Sequence, residues 1–182
     1  MRRSGLWGVD AETLDCIWMS PVIRPSNSRP VEYVDRPFDL VEEGFARPDR
    51  VVTLLARHGI YSILDLHALP GYQNQHWHSD NPTHIATFWD HPHFQDRVVH
   101  LWEALADRYR NRSEVAGYNP INEPSDASNA RLLPFYDRLE KAVRAIDPRH
   151  VLFLDGNKYS TDFSAFDARP EPLPNTVYTA PA

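Results

Sequence analysis

Cysteine is nearly absent: among 182 residues there is one, Cys16. A single thiol excludes an intramolecular disulfide framework and any cysteine-only zinc cluster. It sits in the apolar run Cys16-Ile17-Trp18-Met19, where it reads as buried packing rather than a nucleophile. Long hydrophobic runs are missing too, and none approaches the ~18 residues a membrane-spanning helix needs. No apolar secretory stretch opens the chain, since Met1 to Asp15 is broken by charge and glycine. An excess of basic charge is also lacking. Lys and Arg number 19 against 25 Asp and Glu, the net charge is −6 and the pI near 5.8. The basic residues are scattered, with no cluster beyond Arg2-Arg3. Neither nucleic acid nor an anionic membrane is therefore an expected partner. With one cysteine and no leader in view, a cytoplasmic location is favoured.

What is present is the material of a globular core: 42% hydrophobic and 12% aromatic residues. Short apolar runs near 14–19, 60–66, 115–121, 151–154 and 176–179 read as strands. Most are continuous rather than alternating, as in strands buried on both faces. Helical patterns lie between several of them. One opens at Pro48 as its first residue, presents Val51, Val52, Leu54 and Leu55, and stops near His58 and Gly59. A second runs from about Phe94 to Tyr109 on Val98, Leu101, Trp102, Leu105 and Tyr109. A third runs from about Pro134 to Ile146 on Phe135, Leu139, Val143 and Ile146, ended by Asp147-Pro148. Strands alternating with helices predict βαβ units and a parallel sheet, an α/β fold. Two long loops, 20–47 and 68–92, follow the first and second strands at their carboxyl ends, where such sheets carry their chemistry.

The chemistry-bearing residues gather at those same ends. Gly117-Tyr118-Asn119-Pro120-Ile121-Asn122-Glu123-Pro124 is an apolar strand that stops on Asn-Glu-Pro, because proline cannot continue a ladder. Asn122 and Glu123 are left at the strand tip, suited to bonding a sugar hydroxyl and protonating a glycosidic oxygen; the alternative is a glutamate that only caps a turn. Asp65 and His67, two apart in Ile63-Leu64-Asp65-Leu66-His67, share one face of their strand. Asp65 reads as an orienting group or a catalytic one, and His67 as a contact to substrate or to a carboxylate. The segment from Gly71 to Asn81 mixes aromatics, amides and imidazoles, among them Tyr72, His76 and Trp77, which suits the apolar faces and hydroxyls of sugars. Its rivals are a loop anchor at Trp77 and a metal site built from His76, His78, His84, His91 and His93. Neither histidine spacing matches a zinc signature, so no metal or other cofactor is expected. Asp155-Gly156-Asn157 ends the fourth strand, where either polar side chain could touch substrate or cap the next segment.

Taken together, Ile63-Leu64-Asp65-Leu66-His67, Gly117-Tyr118-Asn119-Pro120-Ile121-Asn122-Glu123-Pro124 and Phe153-Leu154-Asp155-Gly156-Asn157 resemble glycoside hydrolase family 5, the (β/α)8-barrel family of cellulases and exo-β-glucosidases. The resemblance spans about Cys16 to Thr179, and the order and spacing of the segments carry it more than Asn-Glu-Pro alone. It implies that 1–182 is one partial (β/α)8 TIM barrel, about strands two to six, lacking the C-terminal part. It implies Glu123 as acid/base, Asn122 on the sugar 2-hydroxyl, and His67, Tyr72, His76, Trp77 and Asn157 as substrate contacts, with an oligosaccharide or β-glucoside as substrate. The chain departs from the family's pattern as well. The strand-two arginine should lie near Trp18 or Met19, with Arg24 the nearest candidate, and the His-x-Tyr of strand six is absent. A retaining glycosidase needs two carboxyl groups about 5–5.5 Å apart, and only the first is supplied by motif. The expectation is a truncated member, inactive alone; the rivals are a non-catalytic carbohydrate-binding pseudoenzyme and a metal-dependent hydrolase.

Overall fold

The computed structural model describes residues 14–19, 31–33, 35–126 and 128–179, with 14–19 and His78 described by their backbone. Five strands form one parallel sheet in sequential order: β1 (Leu14–Met19), β2 (Tyr61–Leu66), β3 (Val115–Asn119), β4 (Val151–Asp155) and β5 (Thr176–Thr179). Three long helices fill the first three crossovers: α1 (Glu42–Arg57), α2 (Pro92–Tyr109) and α3 (Leu132–Ile146). A parallel neighbour requires a long return path, and an amphipathic helix covers the sheet while making it. No helix among the described residues is long and apolar enough to cross a membrane. Arg24 and the side chains of Cys16, Trp18 and His78 lie outside the described residues.

Alternation along the strands divides the sheet into two faces. Leu64, Leu66, Tyr118, Leu152 and Leu154 are buried in one core with Phe45 and Val52 of α1, Trp102 and Leu105 of α2, and Phe135 and Leu139 of α3. Asp65, Asn119, Asp155 and Thr179 lie on the other face. The register sets Asp65 beside Asn119, and Asp155 beside Thr179. The sheet is therefore apolar toward the helices, while its opposite side becomes polar toward the carboxyl ends of the strands, the pattern of a sheet curled around a site.

Two element boundaries differ from the sequence expectation. Helix α1 begins at Glu42, six residues before Pro48, which lies inside it. Phe45 and Gly44 of the added turns are buried; that burial offsets the hydrogen bond Pro48 cannot make, and Glu42 and Glu43 suit the positive end of the helix. Strand β3 ends at Asn119 rather than near Ile121. Pro120 is the reason, having no N–H to give the ladder. Its carbonyl instead accepts the Trp102 indole N–H at 3.1 Å. The other departures are smaller: α2 and α3 start two residues before the expected positions and end where their apolar stripes end, and Gly59 turns the chain out of α1 at φ +73°.

Candidate active site

The polar face of the sheet is lined at its carboxyl end by Asp65, His67, Asn119, Asn122, Glu123 and Asp155. Asp65 is 1% exposed and its Oδ2 lies 3.2 Å from His67 Nδ1. Burial raises the Asp65 carboxyl above its ordinary value. The His67 contact opposes that rise, and the nearby charges of Asp155 and Glu123 add to it. Asp65 thus orients His67 from below, and Glu123 and Asp155 are close enough to be felt electrostatically.

Asp155 organises the acidic end. Its Oδ2 accepts the backbone N–H of Glu123 at 2.8 Å, and its Oδ1 accepts from the Asn119 amide at 3.3 Å and from the Thr179 hydroxyl. Its own carbonyl accepts the buried Tyr136 hydroxyl at 3.0 Å. The clamp on Glu123 has a conformational purpose. Glu123 adopts φ +45°, a left-handed backbone that costs a non-glycine residue about 1 kcal/mol or more. The Asp155 bond at its amide holds it there.

A second support stands under the β2 and β3 tips. Gln73 is fully buried and its amide is fully used. Nε2 donates to the carbonyls of His67 at 2.8 Å and Asn122 at 2.9 Å, while Oε1 accepts from Leu69 N–H at 3.2 Å. Its backbone carbonyl accepts from the Trp89 indole and the Ser125 amide. Asn74, next in sequence, donates to the Glu123 carbonyl at 2.8 Å and accepts from His76 N–H at 2.9 Å. The loop after β2 is therefore bonded to the carbonyls of both Asn122 and Glu123. Asn122 itself keeps a buried Oδ1 with no hydrogen-bond partner among the described residues, a costly state in isolation and an apt one for a group that meets a ligand hydroxyl.

The expected site residues are not all used alike. His67, Asn122 and Glu123 converge at the strand tips. Tyr72 sits half-buried in a tight turn at φ +60°. His76 and Trp77 are on the rim, with Trp77 72% exposed. Asn157 is a correction. It is fully buried, its Oδ1 accepts from Asp126 N–H at 2.7 Å and Lys158 N–H at 2.8 Å, and its amide donates to the Asp126 carbonyl and to Asn129 Oδ1. Every polar atom is committed within the protein, so Asn157 joins the loops after β3 and β4 instead of facing a sugar. Asp126 continues this joint by accepting from the Arg131 backbone and guanidinium, which also reaches the Trp89 carbonyl.

Sequence reading passed over Gln73 as one polar loop residue among several and left Asp155 undecided. Neither position carries a local signal, because their partners lie 49 and 32 residues away. Among the described residues no three His, Cys, Asp or Glu side chains are grouped to hold a metal ion. His84 bonds the Gln75 carbonyl instead, and His93 packs on Phe38 and Phe94.

A parallel α/β sheet with carboxylates gathered at the carboxyl ends of its strands is the arrangement of part of an α/β barrel. The family model for cellulase, glycosyl hydrolase family 5, matches residues 20–180. The chain belongs to that family, and its fold is a partial (β/α)8 barrel. It is 48% identical over 169 residues to a beta-xylosidase of Phanerodontia chrysosporium, covering 93% of this chain and 36% of that protein. It is 28% identical to endoglucanase C of Acetivibrio thermocellus over 84% of this chain and 43% of the relative. The fold is similar to that of the endoglucanase Cel5A from Thermotoga maritima, with a TM-score of 0.66 at 19% identity over 82% of this chain and 44% of that one. The chain thus spans less than half the length of these relatives.

Proposed function

We propose that residues 1–182 are one barrel domain carrying the acid/base side of a retaining β-glycosidase site. Glu123 protonates the glycosidic oxygen and later takes a proton from water. Asn122 accepts from a sugar hydroxyl through its buried Oδ1, and His67, Tyr72, His76 and Trp77 contact the substrate. The observation that carries this reading is the clamp on Glu123: a buried carboxylate and a buried loop amide hold the Asn122-Glu123 peptide rigidly at a strand tip, as a positioned proton donor requires. β-Glucosides and β-glucans are the substrate class we favour, and the relative named beta-xylosidase adds β-xylosides to those worth testing. The chemistry needs two carboxyl groups and no cofactor.

The second carboxyl is not supplied by Asp65 or Asp155. Asp65 is sealed beneath His67, and Asp155 is committed to the Glu123 amide, Asn119 and Thr179. We therefore expect the isolated chain to bind β-linked oligosaccharide without cleaving it. The commitment of Asp155 also favours a second reading, a carbohydrate-binding chain without catalysis. The test combines cellotetraose and xylotetraose titrations with turnover of aryl β-glucoside and aryl β-xyloside. Saturable binding with turnover at buffer level is the expected result. Turnover abolished by Glu123→Gln would overturn the inactivity while supporting Glu123 as acid/base. Neither binding nor turnover would overturn the glycan reading altogether.

A further inference from the structure

The segment after β4 contains an unusual piece of backbone. Lys158, Tyr159 and Ser160 adopt φ values of +49°, +60° and +61° in succession. None is glycine, and L-residues rarely visit the left-handed region in runs. The turn is held from several sides. Asn157 Oδ1 accepts the Lys158 N–H, Ser160 N–H donates to the Gly156 carbonyl at 3.1 Å, and the Lys158 ammonium pairs with Asp162 at 2.7 Å. The Tyr159 N–H donates to the carbonyl of Pro124 at 3.1 Å, directly beyond Glu123.

This unfavourable geometry presents one side chain. The Tyr159 ring lies 4.8 Å from the His76 ring, centroid to centroid, at 56°. Its hydroxyl donates to Gln75 Oε1 at 3.0 Å. The loops after β2 and β4 thus meet in an aromatic pair on the rim, one ring half-buried and the other exposed. Both residues are tied to the backbone around the acid: His76 N–H donates to Asn74 Oδ1, whose amide donates to the Glu123 carbonyl, and Tyr159 N–H donates to the Pro124 carbonyl. Aromatic faces beside hydrogen-bonding groups match the apolar face of a pyranose and its hydroxyls.

We propose that Tyr159 is a substrate-binding and specificity-determining residue: its ring, oriented by Gln75 and His76, stacks on a pyranose unit of a β-linked oligosaccharide beside Glu123. The inference rests on the glycan-binding reading above. Strain is tolerated at functional sites when surrounding contacts over-determine it, and the bonds at Asn157, Asp162 and Pro124 supply those contacts.

The test is titration of the full chain with cellotetraose and xylotetraose, comparing Tyr159→Ala, Tyr159→Leu and Tyr159→Phe with the parent. Loss of the ring should weaken binding by about fivefold to tenfold, the range of an aromatic contact, while Tyr159→Phe stays within about threefold. Tyr159→Leu retains apolar bulk if alanine loosens the turn. Intermolecular NOEs from the Tyr159 ring to sugar C–H protons are the readout that a merely structural tyrosine would not give. A parent chain that binds neither sugar overturns the glycan reading itself. A parent that binds, with both ring-deleting variants within twofold of it or with no such NOEs, overturns only the role of Tyr159.

Discussion

Replacing Gln73 tests how the site is held up. In Gln73→Leu the apolar volume remains, but three backbone groups lose their partner: the carbonyls of His67 and Asn122 and the N–H of Leu69. Gln73 is fully buried, and a buried polar group left unsatisfied costs about 1–3 kcal/mol. Taking the low end for each, because loop backbone can partly rehydrate, the loss is about 3 kcal/mol. With a urea slope of about 1–3 kcal/mol/M, the midpoint of unfolding followed by tryptophan fluorescence should fall by about 1–3 M. Gln73→Glu sharpens the test. Its carboxylate can still accept from Leu69, but its second oxygen faces two carbonyl oxygens and can only repel them. Protonated, it can donate to one of them, so the folded state raises the pKa of the introduced carboxyl. A raised folded pKa contributes stability that is fully present below the unfolded value of about 4.3 and lost as pH rises through the folded value. Gln73→Glu should therefore be closer to the parent at pH 4 than at pH 7, whereas the deficit of Gln73→Leu should show no such recovery. A Gln73→Leu deficit below about 1 kcal/mol, or a Gln73→Glu deficit independent of pH, would refute this account of the hub.

Two further predictions concern the sheet and its opposite end. A Cβ added at Gly117 would lie 2.1 Å from the Val151 carbonyl oxygen and 2.8 Å from the Phe153 ring; since the first obstacle is backbone, β3 and β4 must separate, and Gly117→Ala should destabilise the chain by about 3 kcal/mol, the upper end of ordinary overpacking. Equal or greater stability in urea would contradict that geometry. Asp147 is buried, which would raise its carboxyl, yet hydrogen bonds from the Tyr118 hydroxyl, the Arg149 N–H and His150 outweigh burial and lower it. A depressed folded pKa gives stability present above the unfolded value near 3.8 and lost as pH falls through the folded value, so the deficit of Asp147→Asn should shrink as pH falls below about 4; a deficit constant from pH 7 to pH 3 would count against it.

The strands, the second and third helices, and the position of Asn122 and Glu123 at a strand tip were legible because each rests on short-range rules. Apolar periodicity, proline punctuation and the two-residue repeat that puts Asp65 and His67 on one face operate within a few residues. Where short-range rules conflicted, tertiary burial decided, as at Pro48, where packing of Phe45 carried the helix past a residue that ordinarily begins one.

What only the folded chain decided is who holds whom. The sequence by itself determined a parallel α/β sheet, its family and the candidate acid. It could not show that Asp155 clamps the Glu123 amide, that Gln73 staples two strand tips, that Asn157 is spent inside the protein, or that Tyr159 meets His76 on the rim. Each of those is a contact between segments about 30 to 80 residues apart. A side chain's partners across such a span depend on the register of the sheet and the paths of its loops, which local residue preferences do not encode.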